Sequence, residues 1–361
     1  MTNRNIKVLV VDDSSVTRLL LVQLLESDPQ VQVIGAVHDG QAAVDFIAEN
    51  RPDAVLMDIH MPRLDGFEAT RRIMETHPVP IIICTATTDP KELATMFRSM
   101  EAGAVACVEK PVSPEHANYA RLSTDLVQTV KLMSEVRVVR RWPRARLAPS
   151  PAPLTCPLEL KPASRAPRLI GMGASTGGPA VLQTILAGLP KDFPVPILIV
   201  QHIARGFLPG LVEWLNQTTG SQVHVASYGL CPLPGHAYLA PDDFHMGVTA
   251  SGRILLTQEE AEDGLRPSVS YLFRSLAGVC GPNALGVLLS GMGKDGAAGL
   301  KLMKARGATT IAQDRESSVV HGMPAEAIQL GGVTHVLPAE KIAATLITLV
   351  IRRLATGGTE L

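Results

Sequence analysis

Aromatic residues are scarce: Trp, Tyr and Phe make up 4% of the 361 residues. Any core must therefore be built from Val, Ile, Leu, Ala and Met, and the 46% hydrophobic content is enough for that. An excess of charge is also missing. Lys and Arg number 33 against 34 Asp and Glu, a net charge of −1, so the whole chain has no electrostatic preference for nucleic acid or an anionic membrane. No apolar run approaches the roughly 18 residues of a membrane span, so no membrane insertion is expected. The five cysteines (84, 107, 156, 231 and 280) are odd in number, widely spaced and never CxxC. That argues against a disulfide framework or zinc site and makes the cytoplasm the natural compartment. The opening MTNRNIKVLVVDDSS has a short apolar run after basic residues, but two aspartates end it where a cleavable leader would need small residues.

What is present falls into two α/β blocks and a linker. From Ile6 to about Val139 short β-branched runs alternate with helical periodicity. The expected strands are Ile6–Val11, Val31–Val37, Ala54–Met57, Val79–Cys84 and Val105–Val108, with clear helices over Val16–Glu26 and Lys91–Met100. Five strands with interposed helices imply a doubly wound parallel sheet of flavodoxin type. Between Trp142 and Arg168 the pattern collapses into seven prolines with scattered Arg and Ala, which neither helix nor sheet can run through. A second, mostly parallel α/β block starts at Leu169, with strands expected at Leu169–Gly173, Val195–Gln201, Gln222–Ala226, His236–Ala240, Ile254–Thr257, Ala284–Leu289 and Thr309–Ala312. A helix over Ala339–Leu354 is expected to pack its Ile/Leu face on the sheet. The domain boundaries read as 1–125, 126–167 for a helix extension and linker, and 168–356.

In the first block three strand ends carry chemistry. Strand one ends in Asp12-Asp13, strand three in Asp58, and strand five is followed by Lys110. Parallel strands bring such loops to one sheet edge. Three carboxylates there would repel unless a hard cation such as Mg²⁺ sat between them, with a phosphoryl group filling further positions. A carboxylate in that setting can accept a phosphoryl group. Lys110 and Thr85 could contact its oxygens. Singly, each aspartate could equally be a helix or turn cap.

VLVVDDSSVTR, AVLMDIHMPRLDG, CTA and EKP together resemble the receiver domain of two-component response regulators over roughly residues 5–125. The resemblance implies Asp58 as phospho-acceptor and Asp12, Asp13 and Asp58, with the His60 carbonyl, around Mg²⁺. It implies Thr85 and Lys110 as readers of the phosphoryl group and a sensor histidine kinase as phosphodonor. Receivers usually carry an aromatic residue three positions before the lysine; here it is Cys107.

The second block opens LIGMGASTGGP, in which Gly173-Ala-Ser175-Thr-Gly177 matches G-x-S-x-G, a tight turn that exposes a serine. A dinucleotide fingerprint fits poorly, because the glycines are spaced 171, 173, 177 and the next strand ends in Gln-His instead of an acid. His202 follows that next strand and can approach Ser175 as its base. Asp295, in SGMGKDGAA, either orients His202 or caps the helix over Gly296–Arg306. Backbone N–H groups near Met292 could hold an oxyanion. The order Ser, His, Asp differs from the Ser, Asp, His of α/β-hydrolases.

GASTGGP, VQHIARGF, RPSVSYLFRS, LSGMGKDGAAGL, AQD and HGMPAEA resemble the catalytic domain of CheB-type protein-glutamate methylesterases. The resemblance implies Ser175 as nucleophile, His202 as base then acid, Asp295 as its orienting group, Met292 in the oxyanion hole and no cofactor in this domain. It implies hydrolysis of glutamate γ-methyl esters, and deamidation of glutamines, on chemoreceptor cytoplasmic helices. His321 stands where the family has an aromatic and reads as a packing residue. Thr176 and Arg205 either line the substrate groove or are surface residues. The rival readings are a phosphorylation-controlled binding module with an inactive hydrolase half and a nucleotide-dependent oxidoreductase. A DNA-binding output lacks a recognition helix.

Overall fold

A computed structural model describes residues 5–86, 90–111, 118–136, 138 and 167–356, in two compact units divided near residue 157. The proline-rich stretch expected to be a linker lies outside the described residues.

The first unit is a five-stranded parallel sheet in the order β2-β1-β3-β4-β5. Its strands are β1 (Ile6–Val11), β2 (Val31–Val37), β3 (Ala54–Met57), β4 (Ile81–Thr85) and β5 (Ala106–Glu109). Its helices are α1 (Ser15–Glu26), α2 (Gly40–Glu49), α3 (Gly66–Thr76), α4 (Pro90–Ala102) and α5 (Tyr119–Met133). β1, β3 and β4 are buried almost throughout, as a sheet covered on both faces requires. β4 begins two residues later than expected, because Val79 and Pro80 precede the paired residues and proline cannot donate to a ladder. Gly66 meets a packing demand: a Cβ there would lie 2.1 Å from the Asp58 carbonyl oxygen.

The second unit has a seven-stranded, all-parallel sheet, β14-β13-β12-β6-β7-β9-β8. The strands are β6 (Leu169–Ala174), β7 (Ile197–Gln201), β8 (Gln222–Val225), β9 (His236–Leu239), β12 (Ala284–Leu288), β13 (Thr309–Gln313) and β14 (His335–Leu337). The strand expected at Ile254–Thr257 is there as β11, but in a separate antiparallel hairpin with β10 (His245–Val248). The helices are α6 (Gly178–Ala187), α7 (Leu208–Thr219), α8 (Val269–Val279), α9 (Ala297–Ala305), α10 (Gly322–Gln329) and α11 (Ala339–Thr356). Strand order reverses at β6: the chain first builds outward through β7, then returns to place β12 on the other side. Such a switch point opens a crevice at the strand C-termini.

The glycines of β6 serve packing. A Cβ at Gly171 would meet Leu276 at 2.5 Å, and one at Gly173 would meet Val269 at 2.1 Å. Their absence lets α8 lie close against the sheet over Val269, Phe273 and Leu276, all fully buried. α11 buries Ile342, Leu346 and Val350 and runs beside α6. No helix of the described residues is long and apolar enough to cross a membrane.

Gly173→Ala should force α8 away from β6. Overpacking of this kind costs about 1–3 kcal/mol. Chemical denaturation is expected to give a lowered midpoint in the transition of this unit, and an unchanged midpoint would contradict the close approach.

Candidate active site

Register carries the first half of the site. Ala174 of β6 pairs with Gln201 of β7, and the His202 N–H donates to the Ala174 carbonyl at 2.9 Å. Ser175 and His202 therefore leave adjacent strand ends side by side. The buried Gln201 ties them together, its Nε2 donating to the carbonyls of both Ser175 (2.9 Å) and His202 (2.8 Å). On the other flank, Leu288 of β12 pairs with Gly173, and the Ser175 N–H donates to the Ser290 carbonyl at 3.0 Å. Gly291 must lack a side chain there, since a Cβ would lie 2.7 Å from that of Ser175.

The Ser175 N–H is taken by Ser290, and the Gly291 N–H is taken by the Val320 carbonyl at 2.9 Å. Among the described residues the N–H groups of Met292 and Thr176 have no partner. Met292 is 46% exposed.

Asp295 supplies the third element. The structure overturns its reading as the cap of the following helix: α9 starts from Gly296 in a left-handed conformation, with no side-chain cap. The Asp295 carboxylate turns instead to the N-terminus of α8. Its Oδ1 accepts from Ser268 Oγ (3.0 Å) and from the N–H groups of Ser270 (2.9 Å) and Gly296 (2.8 Å). Its Oδ2 accepts from the Val269 N–H (2.7 Å) and from His202 Nε2 (3.0 Å). Unpaired N–H groups and the positive end of the helix dipole both favour an anion at that place. Burial opposes its charge, but the His202 hydrogen bond and charge and the Ser270 donors outweigh it, so the carboxyl is held well below the usual carboxylate range.

A carboxylate can only accept, so His202 carries its proton on Nε2, which leaves Nδ1 as the free ring nitrogen. No hydrogen bond joins the Ser175 and His202 side chains in this structure. Of the residues that sequence reasoning grouped, Ser175 and His202 leave adjacent strand ends and His202 is hydrogen-bonded to Asp295. Sequence reasoning missed Gln201, Ser268 and Ser290, whose polar side chains carry no pattern distinguishable from surface residues. It also missed that α8 holds the carboxylate. Thr176 is half-buried with its carbonyl bonded by Ser290 Oγ at 2.8 Å, while Arg205 is exposed and ion-paired with Asp243. His321 is half-buried, one ring nitrogen 3.2 Å from the Gln313 carbonyl.

In the first unit Asp12 and Asp58 are buried and Asp13 is exposed, yet ligand oxygens of all three lie within 4.8 Å of one another. Lys110 Nζ bridges Asp12 Oδ2 (2.8 Å) and Asp58 Oδ2 (2.9 Å). The Lys110 N–H donates to the Thr85 carbonyl at 2.8 Å, holding those two strand ends together. Burial pushes the Asp58 carboxyl up; Lys110 offsets this only in part, and Asp12 adds to the rise. Burial also works against the Lys110 charge, but Asp58 and Asp12 outweigh it and raise its value. The hard oxygen donors suit Mg²⁺. Cys107 lies 3.6 Å from Met100 Sδ of α4, its thiol pushed by burial to about 12 and so neutral.

The CheB methylesterase family profile matches residues 170–346, and the response regulator receiver domain profile matches residues 8–119. A protein-glutamate methylesterase/protein-glutamine glutaminase of Geobacter metallireducens is 52% identical over 353 residues, covering 96% of this chain and 100% of that one. One from Nitrosospira multiformis is 52% identical over 348 residues, covering 96% and 98%. The crystal structure of the Thermotoga maritima CheB methylesterase catalytic domain superposes with a TM-score of 0.50 at 40% identity, covering 51% of this chain and 100% of that one.

The depressed Asp295 value has a signed consequence for stability. An acid whose folded value lies below its unfolded one, about 3.9, adds stability above that unfolded value and loses it as pH falls through the folded one. Asp295→Asn should therefore be less stable than the parent near pH 5, and the margin should close in more acid solution. Denaturant unfolding across pH measures it; a margin that never closes contradicts the assignment.

Proposed function

The chain belongs to the CheB methylesterase family and carries a response regulator receiver domain, and on that premise we propose that it is a phosphorylation-activated esterase working through Ser175, His202 and Asp295. It is a hydrolase of the protein-glutamate methylesterase/protein-glutamine glutaminase kind. The substrates are glutamate γ-methyl esters on the cytoplasmic helices of chemoreceptors, together with receptor glutamines. The enzyme works in the cytoplasm. The receiver spans residues 1–125, a helix extension and linker 126–167, and the catalytic domain 168–356.

The observation that carries this reading is the His202 Nε2 to Asp295 hydrogen bond beside Ser175. With Nε2 engaged, Nδ1 is the base. Ser175 Oγ attacks the γ-carbonyl carbon and its proton passes to Nδ1. The N–H groups of Met292 and Thr176, which have no partner among the described residues, are donors available to the oxyanion. Asp295 stabilises the imidazolium, which then protonates the departing methoxide, and methanol leaves. Water enters, gives a proton to Nδ1 and attacks the acyl-enzyme; the proton returns to Ser175 as the glutamate carboxylate is freed. A glutamine follows the same course with ammonia as leaving group.

In the receiver Asp58 accepts the phosphoryl group from the phosphohistidine of a sensor kinase. Asp12, Asp13 and Asp58 would hold Mg²⁺, whose charge offsets that of the phosphoryl oxygens. Lys110 supplies a fixed positive charge and Thr85 a hydroxyl at the same edge. Cys107 in place of an aromatic leaves the phosphoryl signal to other contacts. Unphosphorylated, the receiver inhibits the esterase, and phosphorylation of Asp58 relieves that inhibition.

Methanol release from methylated receptor should vanish in Ser175→Ala, and a small-molecule phosphodonor with Mg²⁺ should accelerate it in wild type but not in Asp58→Asn. Equal rates with and without phosphodonor would refute the regulatory half. Turnover by Ser175→Ala would refute the catalytic half.

A further inference from the structure

His245 is fully buried on β10, and none of the catalytic steps uses it. Both of its ring nitrogens are engaged. The Ser268 N–H points at Nδ1 from 3.2 Å, and Nε2 lies 3.0 Å from the Glu260 carbonyl oxygen. The first group can only donate and the second can only accept, so the ring is fixed with its proton on Nε2 and a lone pair on Nδ1. Its face stacks on Tyr271 of α8, with ring centroids 4.7 Å apart.

Ser268 is the residue that His245 grips, and it is the N-cap of α8, its Oγ accepting from the Tyr271 N–H. The same Oγ lies 3.0 Å from Asp295 Oδ1 and 3.1 Å from Glu262 Oε2. A hydroxyl has one proton and two carboxylates compete for it, so the hydroxyl alone does not fix Ser268. The backbone N–H is its second anchor. That anchor also sets where the next two N–H groups point, those of Val269 and Ser270, which bind the two oxygens of Asp295.

We propose that His245 is a positioning residue for the esterase reaction: by accepting the Ser268 N–H it aims the first turn of α8, and through it Asp295, at His202. The proposal rests on the Ser175, His202 and Asp295 reading and extends it by one residue. A displaced carboxylate would leave substrate binding intact and slow the proton transfers that His202 performs.

The test compares three full-length variants. In His245→Asn the side-chain oxygen can occupy the place of Nδ1 and keep the Ser268 bond. In His245→Gln the amide reaches only the place of Nε2. In Tyr271→Leu the stacking is lost but Nδ1 remains. Methanol release with phosphodonor, resolved into kcat and KM, is read beside the thermal midpoint. His245→Gln should lose on the order of tenfold to a hundredfold in kcat with KM nearly unchanged. His245→Asn should recover most of that loss, and Tyr271→Leu should keep kcat even if its midpoint falls. Equal losses in Asn and Gln, a loss in Tyr271→Leu matching that in Gln, or full kcat in Gln would each overturn the proposal. If His245→Gln does not fold, the Asn variant decides alone: wild-type kcat supports the proposal and a tenfold loss overturns it. Wild-type turnover that persists in Ser175→Ala would instead overturn the underlying triad, so the two failures are distinguishable.

Discussion

The arrangement depends on one buried carboxylate. Asp295 lies at the N-terminus of α8, where N–H groups of the first turn have no partner within the helix, and it satisfies two of them while accepting from His202. A lone buried carboxylate would protonate to escape desolvation. Here the donors keep it ionised, and the same ionised group fixes which nitrogen of His202 is free. The requirement reaches far into the fold. α8 must come close to β6, which is why that strand has glycines at 171 and 173. β12 must return beside β6 to deliver Asp295. The sheet must therefore reverse its order at the strand that carries Ser175.

The receiver solves a related electrostatic problem differently. Its carboxylates gather at the ends of β1 and β3 with little helix support, and Lys110 bridges two of them. Burial and Asp12 push the Asp58 carboxyl up, and Lys110 offsets this only in part. The Asp295 carboxylate, by contrast, is held by hydrogen-bond donors of its own fold.

Much of this was legible in the sequence because it was periodic. Strands β1, β2, β3 and β11 are found at the expected residues, and the three aspartates, Lys110, Ser175, His202 and Asp295 all follow strand ends. Where the periodic signal was short it failed. β10 is four residues including a glycine and a histidine, and β14 is three residues, so neither rose above loop composition. The role of Asp295 was half legible: the sequence offered it as the partner of His202 or as the cap of the following helix, and it bonds His202 while binding the N-terminus of a different helix. The helix is α8, which precedes it by 16 residues of chain and reaches it only through tertiary packing. Gln201, Ser268 and His245 were illegible for the same reason, since their partners are fixed by the approach of separate elements.

The central claim is that Asp295 holds the proton of His202 on Nε2 and so reserves Nδ1 for Ser175. Nitrogen NMR of the His202 ring, recorded in the full chain at a pH where the imidazole is neutral, reads that tautomer directly. The account predicts a protonated Nε2 and an unprotonated Nδ1, with the Nε2 preference lost in Asp295→Asn. A proton resident on Nδ1 in the wild-type protein would contradict it.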